Sequence, residues 1–313
     1  MTYSTNEIKE FIARTFGVKP LHIRKIHMGN INEVYFVKLP NGKCILRIYK
    51  HWSYNEVKTG IKVFAVKGLP IPKLVSTKGK KIFLFKSKPA IVYEYIEGSR
   101  KLSPDTQELF EVGQFLASLH MGTKKLGATS SANKFYHLPS NRIKKIHKFV
   151  SKTKVPYQNM LPWIESALNK FALTAKLPKS LIHVDVKPNN VLFKSGHLAG
   201  VLDFDNSYYG PMILDLAKSM AWFGFSSNYK KFNLKRAAII YKGYISKRRL
   251  STTEKENLFS AFNFAFLSHA FVEYYMFAQK KVSLKYFNFI VNVFLKTYTK
   301  TNITEEQFNK IVK

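Results

Sequence analysis

Four oxygen-bearing side chains, Asp185, Asn190, Asp203 and Asp205, fall within residues 181–206, LIHVDVKPNNVLFKSGHLAGVLDFDN, a segment otherwise mostly apolar. Capping a helix or turn takes one aspartate at a time, so several carboxylates and an amide along apparent strands point to a cation held between them. Two apolar runs, 191–193 and 198–202, flank the turn signal Lys194-Ser195-Gly196-His197 and read as a hairpin that brings Asp203 back to Asn190. Converging Asp and Asn oxygens make a hard, partly neutral site, suited to a Mg²⁺ that keeps waters and takes its other ligands from phosphate. Asp185, five residues before Asn190 on the loop leading into the hairpin, is within reach of the same place and could orient an attacking hydroxyl or accept its proton. Metal ligands that neutralise phosphate charge, with a carboxylate that positions the nucleophile, are the parts phosphoryl transfer needs.

The spacing H-x-D-x-x-x-x-N, then a hydrophobic strand and D-F, is specific when taken together. HVDVKPNN with VLDFDN resembles the catalytic loop and metal-binding segment of the protein-kinase-like superfamily, most closely its aminoglycoside phosphotransferase branch. The resemblance implies Asp185 as catalytic base or hydroxyl-orienting group, Asn190 and Asp203 as Mg²⁺ ligands, and His183 as a scaffold for the loop. Lys187 matches a lysine that contacts the γ-phosphate in many protein kinases, and a solvent-facing lysine is the equal alternative. Asp205 replaces a glycine of the protein-kinase pattern and either adds a metal contact or caps the following turn.

The elements that must position these residues are of two kinds. Ser4 and Glu7 read as a capping box opening an amphipathic helix that Gly17 closes. Residues 21–49 alternate and carry turn signals, including Asn41-Gly42, so they read as an antiparallel meander. A helix over 54–66 and two strands over 81–98 complete one small sheet. Beyond it, Ser103 and Pro104 are expected to cap and start a helix, and apolar spacing predicts a mainly helical remainder. The expected fold class is α+β: a bilobal protein-kinase-like fold with a nucleotide-binding β-sheet lobe over 1–97 and a helical lobe over 98–313 containing the catalytic hairpin.

In the first lobe the resemblance places Arg47 at the strand position of a phosphate-binding lysine, where a guanidinium can pair phosphate oxygens. Glu56 is the candidate for its ion-pair partner, or else faces solvent. Gly29, in MGNINEVYFV, stands where a glycine-rich loop would be, although a simple hairpin turn explains a single glycine equally well. The backbone at Glu94, Tyr95 and Ile96 reads as a hinge that would hydrogen-bond the base of ATP or GTP.

Only eleven residues separate Asp203 from Asp215, and no A-P-E element follows, which argues against a protein substrate. GYISKRRLSTTE, with Gly243, Tyr244, Leu250, Ser251 and Glu254, looks like the corresponding region of homoserine-kinase-like members, although Ser251 and Glu254 are physically only a capping box. The activity implied is Mg²⁺-dependent transfer of the γ-phosphate of ATP or GTP to a hydroxyl of a small molecule, a homoserine-like or other amino alcohol or a sugar. An antibiotic phosphotransferase is the alternative, and a nucleotide-binding pseudokinase or polyanion-binding module is the alternative of another class.

With 51 Lys and Arg against 19 Asp and Glu, the formal charge is +32. That charge disfavours a polycationic aminoglycoside as acceptor and leaves nucleic-acid binding open without calling for it. In NRIKKIHKF, Ile143, Ile146 and Phe149 are spaced as a buried stripe, which leaves Arg142, Lys144, Lys145 and Lys148 as a solvated face. The single cysteine, Cys44, excludes an internal disulfide or a cysteine metal site, and a cytoplasmic location is the simplest expectation. The apolar stretch 258–278 is long enough to span a bilayer, but Asn263, Ser268, His269 and Glu273 make it a buried helix instead.

Overall fold

The computed structural model describes residues 3–26, 32–126 and 134–312. The chain divides into two compact units, Met1–Glu97 and Gly98–Lys313.

The first unit is a five-stranded antiparallel sheet. Helix α1 (Thr5–Phe16) opens with the Ser4/Glu7 capping box and closes on Gly17, which adopts φ 71°. Strands β1 (His22–Lys25), β2 (Glu33–Leu39) and β3 (Gly42–Ile48) form the meander, then helix α2 (Tyr54–Gly60) runs into a 3₁₀ turn. Strands β4 (Phe83–Phe85) and β5 (Lys88–Glu94) give the spatial order β1-β2-β3-β5-β4. Alternation splits β3 cleanly. Cys44, Leu46 and Ile48 pack with Ile8, Phe11 and Ile12 of α1 on one face, while Tyr49 and its neighbour Ile91 pack with Val57 of α2 on the other. Arg47, opposite Val34 and Ile91, therefore lies on the α2 face. Burial raises the Cys44 thiol to about 11, so it packs as a small hydrophobe.

The second unit is mostly helical around two short β-pairs. Helices α3 (Thr106–Thr123), α4 (Ser140–Ser151) and α5 (Leu161–Lys170) precede β6 (Lys179–Ile182), β7 (Val191–Lys194), β8 (His197–Val201) and β9 (Tyr208–Pro211). After them come α6 (Met212–Phe223), α7 (Leu234–Ile245), α8 (Thr252–Glu256), α9 (Leu258–Ala278), α10 (Leu284–Asn288), α11 (Lys296–Thr301) and α12 (Glu305–Ile311). β7 and β8 form the expected hairpin, turning through Ser195 and Gly196, both at positive φ. β6 pairs with β9 across the hairpin, which sequence alternation did not announce because each strand has only four residues.

Three expectations need correction. α3 starts at Thr106 with Asp105 as its cap rather than at Ser103-Pro104; the reciprocal Asp105/Glu108 box satisfies two amides, which a Ser-Pro start cannot do. On α4 the third buried position is Val150, and Phe149 is 43% exposed. Arg142 is half-buried rather than solvated, because its guanidinium donates to the Lys134 and His137 carbonyls.

The α3–α7 contact is set by two glycines. A Cβ on Gly113 would lie 2.1 Å from the Ile240 carbonyl oxygen, and one on Gly243 would lie 2.0 Å from that of Phe110. Neither helix could approach so closely with any larger residue. α9 is buried along nearly its whole length, and among the described residues no helix is long and apolar enough to cross a membrane.

Candidate active site

The loop between β6 and β7 carries His183, Val184, Asp185 and Lys187 and is held in an unusual conformation. Val184 has φ 59°, a left-handed conformation that is a genuine outlier for a β-branched residue. Such strain persists only where the surroundings over-determine it. Here the clamp is Asp215, near the start of α6, whose Oδ2 and Oδ1 accept the backbone N–H groups of His183 and Val184, each at 2.7 Å. His120 of α3 adds a third contact, Nε2 to Asp215 Oδ2 at 3.0 Å, and its Nδ1 is 2.8 Å from the Tyr244 hydroxyl of α7. Burial alone would raise the Asp215 carboxyl, but the hydrogen bond from His120, then the backbone amide of His183, hold it below the usual range.

His183 is the scaffold its position implied. Its Nε2 donates to the Leu202 carbonyl at 2.9 Å and its Nδ1 accepts the Asp185 amide at 3.3 Å, so the ring is neutral with its hydrogen on Nε2. Phe204 packs on that ring at 4.5 Å between centroids. The loop and the D-F segment are thereby tied together through one imidazole.

Asp185 is 5% exposed. The Asn190 side-chain amide donates to its carboxylate at 3.1 Å and to its carbonyl at 2.9 Å, and the ammonium of Lys187 sits 2.9 Å from Oδ1. Lys187 is therefore not solvent-facing. Burial would depress its ammonium, but Asp185 outweighs burial and holds it above its ordinary value. With its NH₂ turned to Asp185, Asn190 directs its own carbonyl oxygen away, and the Asn190 backbone oxygen accepts the Leu202 amide at 2.8 Å. The hairpin thus returns the chain to Asn190 one residue before Asp203. Asp203 has φ 67° and is half-buried, as is Asp205, whose backbone carbonyl accepts from Lys134.

Among the described residues no group of three or more His, Cys, Asp and Glu side chains forms a metal cage. The oxygen set of Asn190 and Asp203 fits Mg²⁺ nonetheless, since that ion is commonly held by one or two protein oxygens with water and phosphate completing its shell.

In the first unit, Arg47 is half-buried with its guanidinium 5.5 Å from the Tyr49 ring centre. Glu56 is exposed and closes the capping box of α2, its carboxylate accepting from the Ser53 amide at 2.7 Å. Gly29 lies outside the described residues. At the end of β5, the Glu94 amide donates to Lys73 O and the Tyr95 amide to Lys43 O, which commits two of the three N–H groups of the expected hinge.

The sequence marks Asp215 only as a helix start and His269 and Glu273 only as polar breaks in an apolar stretch, and nothing in it singles out His120 or Lys218. The first is a clamp through backbone amides, and the others sit on helices whose faces converge only in the folded chain. No local spacing signals that convergence.

Residues 22–236 match the model of the phosphotransferase enzyme family. The chain belongs to that family. It is 26% identical over 247 residues to the homoserine kinase of Pseudomonas aeruginosa, covering 75% of this chain and 74% of that one. It is 24% identical over 257 residues to the homoserine kinase of Neisseria meningitidis, covering 80% and 82%. Among solved structures it is similar to an amicoumacin kinase in complex with AMP-PNP and Ca²⁺, at TM-score 0.74 and 15% identity over 99% of this chain and 97% of that one. A microcompartment-associated aminopropanol kinase superposes at TM-score 0.67 and 16% identity, with 93% of both chains covered. The fold is protein-kinase-like, and this phosphotransferase is a small-molecule kinase that transfers a phosphoryl group to a hydroxyl acceptor.

Proposed function

We propose that the phosphoryl donor is a nucleoside triphosphate, ATP or GTP, used with Mg²⁺, and that the acceptor is a small amino alcohol, hydroxy amino acid or sugar. The observation that carries this reading is the Asp185 carboxylate, buried, oriented by the Asn190 amide and paired with Lys187 on a backbone clamped by Asp215. An acceptor hydroxyl oriented by Asp185 attacks the γ-phosphorus; the new O–P bond forms, the bond to the β-phosphate oxygen breaks, the hydroxyl proton passes to Asp185 and the nucleoside diphosphate leaves. Lys187, paired with Asp185, would meet a γ-phosphate oxygen as the charge spreads. Asn190 Oδ1 and the Asp203 carboxylate would hold Mg²⁺, with Asp205 as a further ligand or the cap of its turn. When bound, the ion supplies charge neutralisation on the phosphates.

In the first unit, Arg47 would take phosphate oxygens of the donor and Glu56 would orient it. Ile96 is the member of the 94–96 stretch whose N–H is left for the base. The curated homoserine kinases and the kinases solved with AMP-PNP or ADP support this reading.

The test is nucleoside diphosphate release by purified protein with Mg-ATP or Mg-GTP over a panel of hydroxyl compounds. Acceptor-dependent turnover is expected, falling by about 10³-fold or more in Asp185→Asn, in line with removal of a positioned acid–base group and its charge. Absence of any nucleotide binding overturns the reading.

A further inference from the structure

Next to the clamped loop lies a second buried polar group that the steps above do not use. Lys218 of α6 is 1% exposed, its Nζ has no hydrogen-bond partner among the described residues, and it stands 3.9 Å from the centre of the Tyr136 ring. The Tyr136 hydroxyl lies 3.1 Å from His269 Nδ1, and His269 Nε2 lies 3.9 Å from Glu273 Oε1, one turn further along α9. Among the described residues neither His269 Nε2 nor Glu273 Oε2 has a hydrogen-bond partner. Burial, which raises Tyr136 and drives His269 well below its ordinary value, keeps the hydroxyl protonated and the imidazole neutral. With the hydroxyl donating to Nδ1, the ring hydrogen sits on Nε2 as an unused donor. Trp222 joins this group to the reactive loop: its ring meets His269 edge-on at 4.7 Å, and Lys187 Nζ lies 5.4 Å from its centre.

An ammonium, a carboxylate and an imidazole N–H, all withdrawn from water and each with an atom that makes no hydrogen bond to the described residues, are costly to a folded chain. Burial, reinforced by the charge of Lys187, lowers Lys218 to about 7 against the pull of Asp185, Asp215 and Glu273. Burial likewise raises Glu273 to about 7 against Lys187 and Lys218. Each charge therefore lacks a sufficient counter-ion, and the same Asp185 and Lys187 act on both residues. The missing counter-ions are of opposite sign, and Tyr136 and His269 link the two groups that lack them.

We propose that Lys218, His269 and Glu273 form the acceptor subsite and that the acceptor is a zwitterion, a small hydroxy amino acid whose carboxylate meets Lys218 and His269 Nε2 and whose ammonium meets Glu273. The proposal rests on the phosphotransfer reading above and adds the class of acceptor. A cationic amino alcohol leaves Lys218 unpartnered and repelled, a hydroxy acid does the same to Glu273, and a neutral sugar answers neither charge. A polycation finds one buried carboxylate and is repelled by a buried ammonium.

Three compounds with the same hydroxyl arm test it: homoserine, 3-aminopropan-1-ol, which lacks the carboxylate, and 4-hydroxybutanoate, which lacks the ammonium. Homoserine is expected to exceed either truncated compound by roughly 30-fold or more in kcat/KM, the cost of leaving a buried charge unpaired. Lys218→Met should erase the preference over 3-aminopropan-1-ol, and Glu273→Gln the preference over 4-hydroxybutanoate, each mainly through KM. Glu273→Gln, being isosteric, carries the test alone if Lys218→Met does not fold. Equal turnover of all three by the wild type, or a variant that lowers all three alike, overturns the zwitterion and leaves phosphotransfer standing. No turnover of any of the three overturns it too, and turnover of an unrelated alcohol then separates that result from a failure of phosphotransfer itself.

Discussion

Asp215 and Lys218 stand three residues apart on α6, and both are withdrawn from water, yet their surroundings are opposites. Each Asp215 oxygen is occupied, by the amides of His183 and Val184 and by His120, whereas Lys218 Nζ has an aromatic face beside it and, among the described residues, no hydrogen-bond acceptor. A satisfied buried charge fixes a backbone; an unsatisfied one is a place where a ligand completes the structure. One helix thus shapes the β6–β7 loop with one residue and, in our proposal, reads the acceptor with another.

The comparison is broken most directly by Asp215→Ala. Two buried amides and His120 lose their acceptor while Val184 keeps its strain, so a loss of about 3–5 kcal/mol is expected in denaturant unfolding, with turnover lost in whatever protein remains folded. Asp215→Ala as stable as wild type would show that the loop is held by something else.

Glu273→Gln sharpens the other side through pH. The folded pKa of Glu273 is raised from 4.5 to about 7, so the folded state binds more protons than the unfolded state between those values. Stability from this group is present below 4.5 and lost as pH rises towards 7, on the order of 3 kcal/mol across the window. Melting curves of the ligand-free wild type should therefore fall relative to Glu273→Gln from pH 4.5 to 7. A constant difference between the two proteins would mean that Glu273 has a partner.

Lys218→Met, on the same helix as Asp215, should leave ligand-free stability unchanged or raise it by about 1 kcal/mol, as replacement of a buried unpaired ion by an apolar side chain of similar length does. The smallest effect belongs to Tyr244→Phe. Removing the hydroxyl that faces His120 and Arg248 should cost about 1 kcal/mol by denaturant unfolding, with the acceptor preference unmoved.

Much of this was legible locally. The β7–β8 hairpin, its Ser195-Gly196 turn and the meeting of Asn190 with the segment before Asp203 follow from apolar runs and turn residues within fifteen positions. The Ser251/Glu254 capping box is present as read, and the structure adds that buried Glu254 takes both its oxygens to Arg248. Gly243 and Tyr244, noticed as a pattern, gain physical meaning in the fold: one permits the contact with α3 and the other holds His120. The start of α3 was misplaced because two capping signals lie two residues apart and only hydrogen bonding decides between them.

The sequence by itself determined the protein-kinase-like class and the β7–β8 hairpin with the loop that leads into it, because period, turn chemistry and the H-x-D-x-x-x-x-N spacing act over a few residues. Only the tertiary structure decided which buried charges are satisfied. Asp215 meets amides thirty-one and thirty-two positions away, and Lys218, His269 and Glu273 meet from α6 and α9. Burial and pairing are properties of such long-range neighbours, and no segment of the chain contains them.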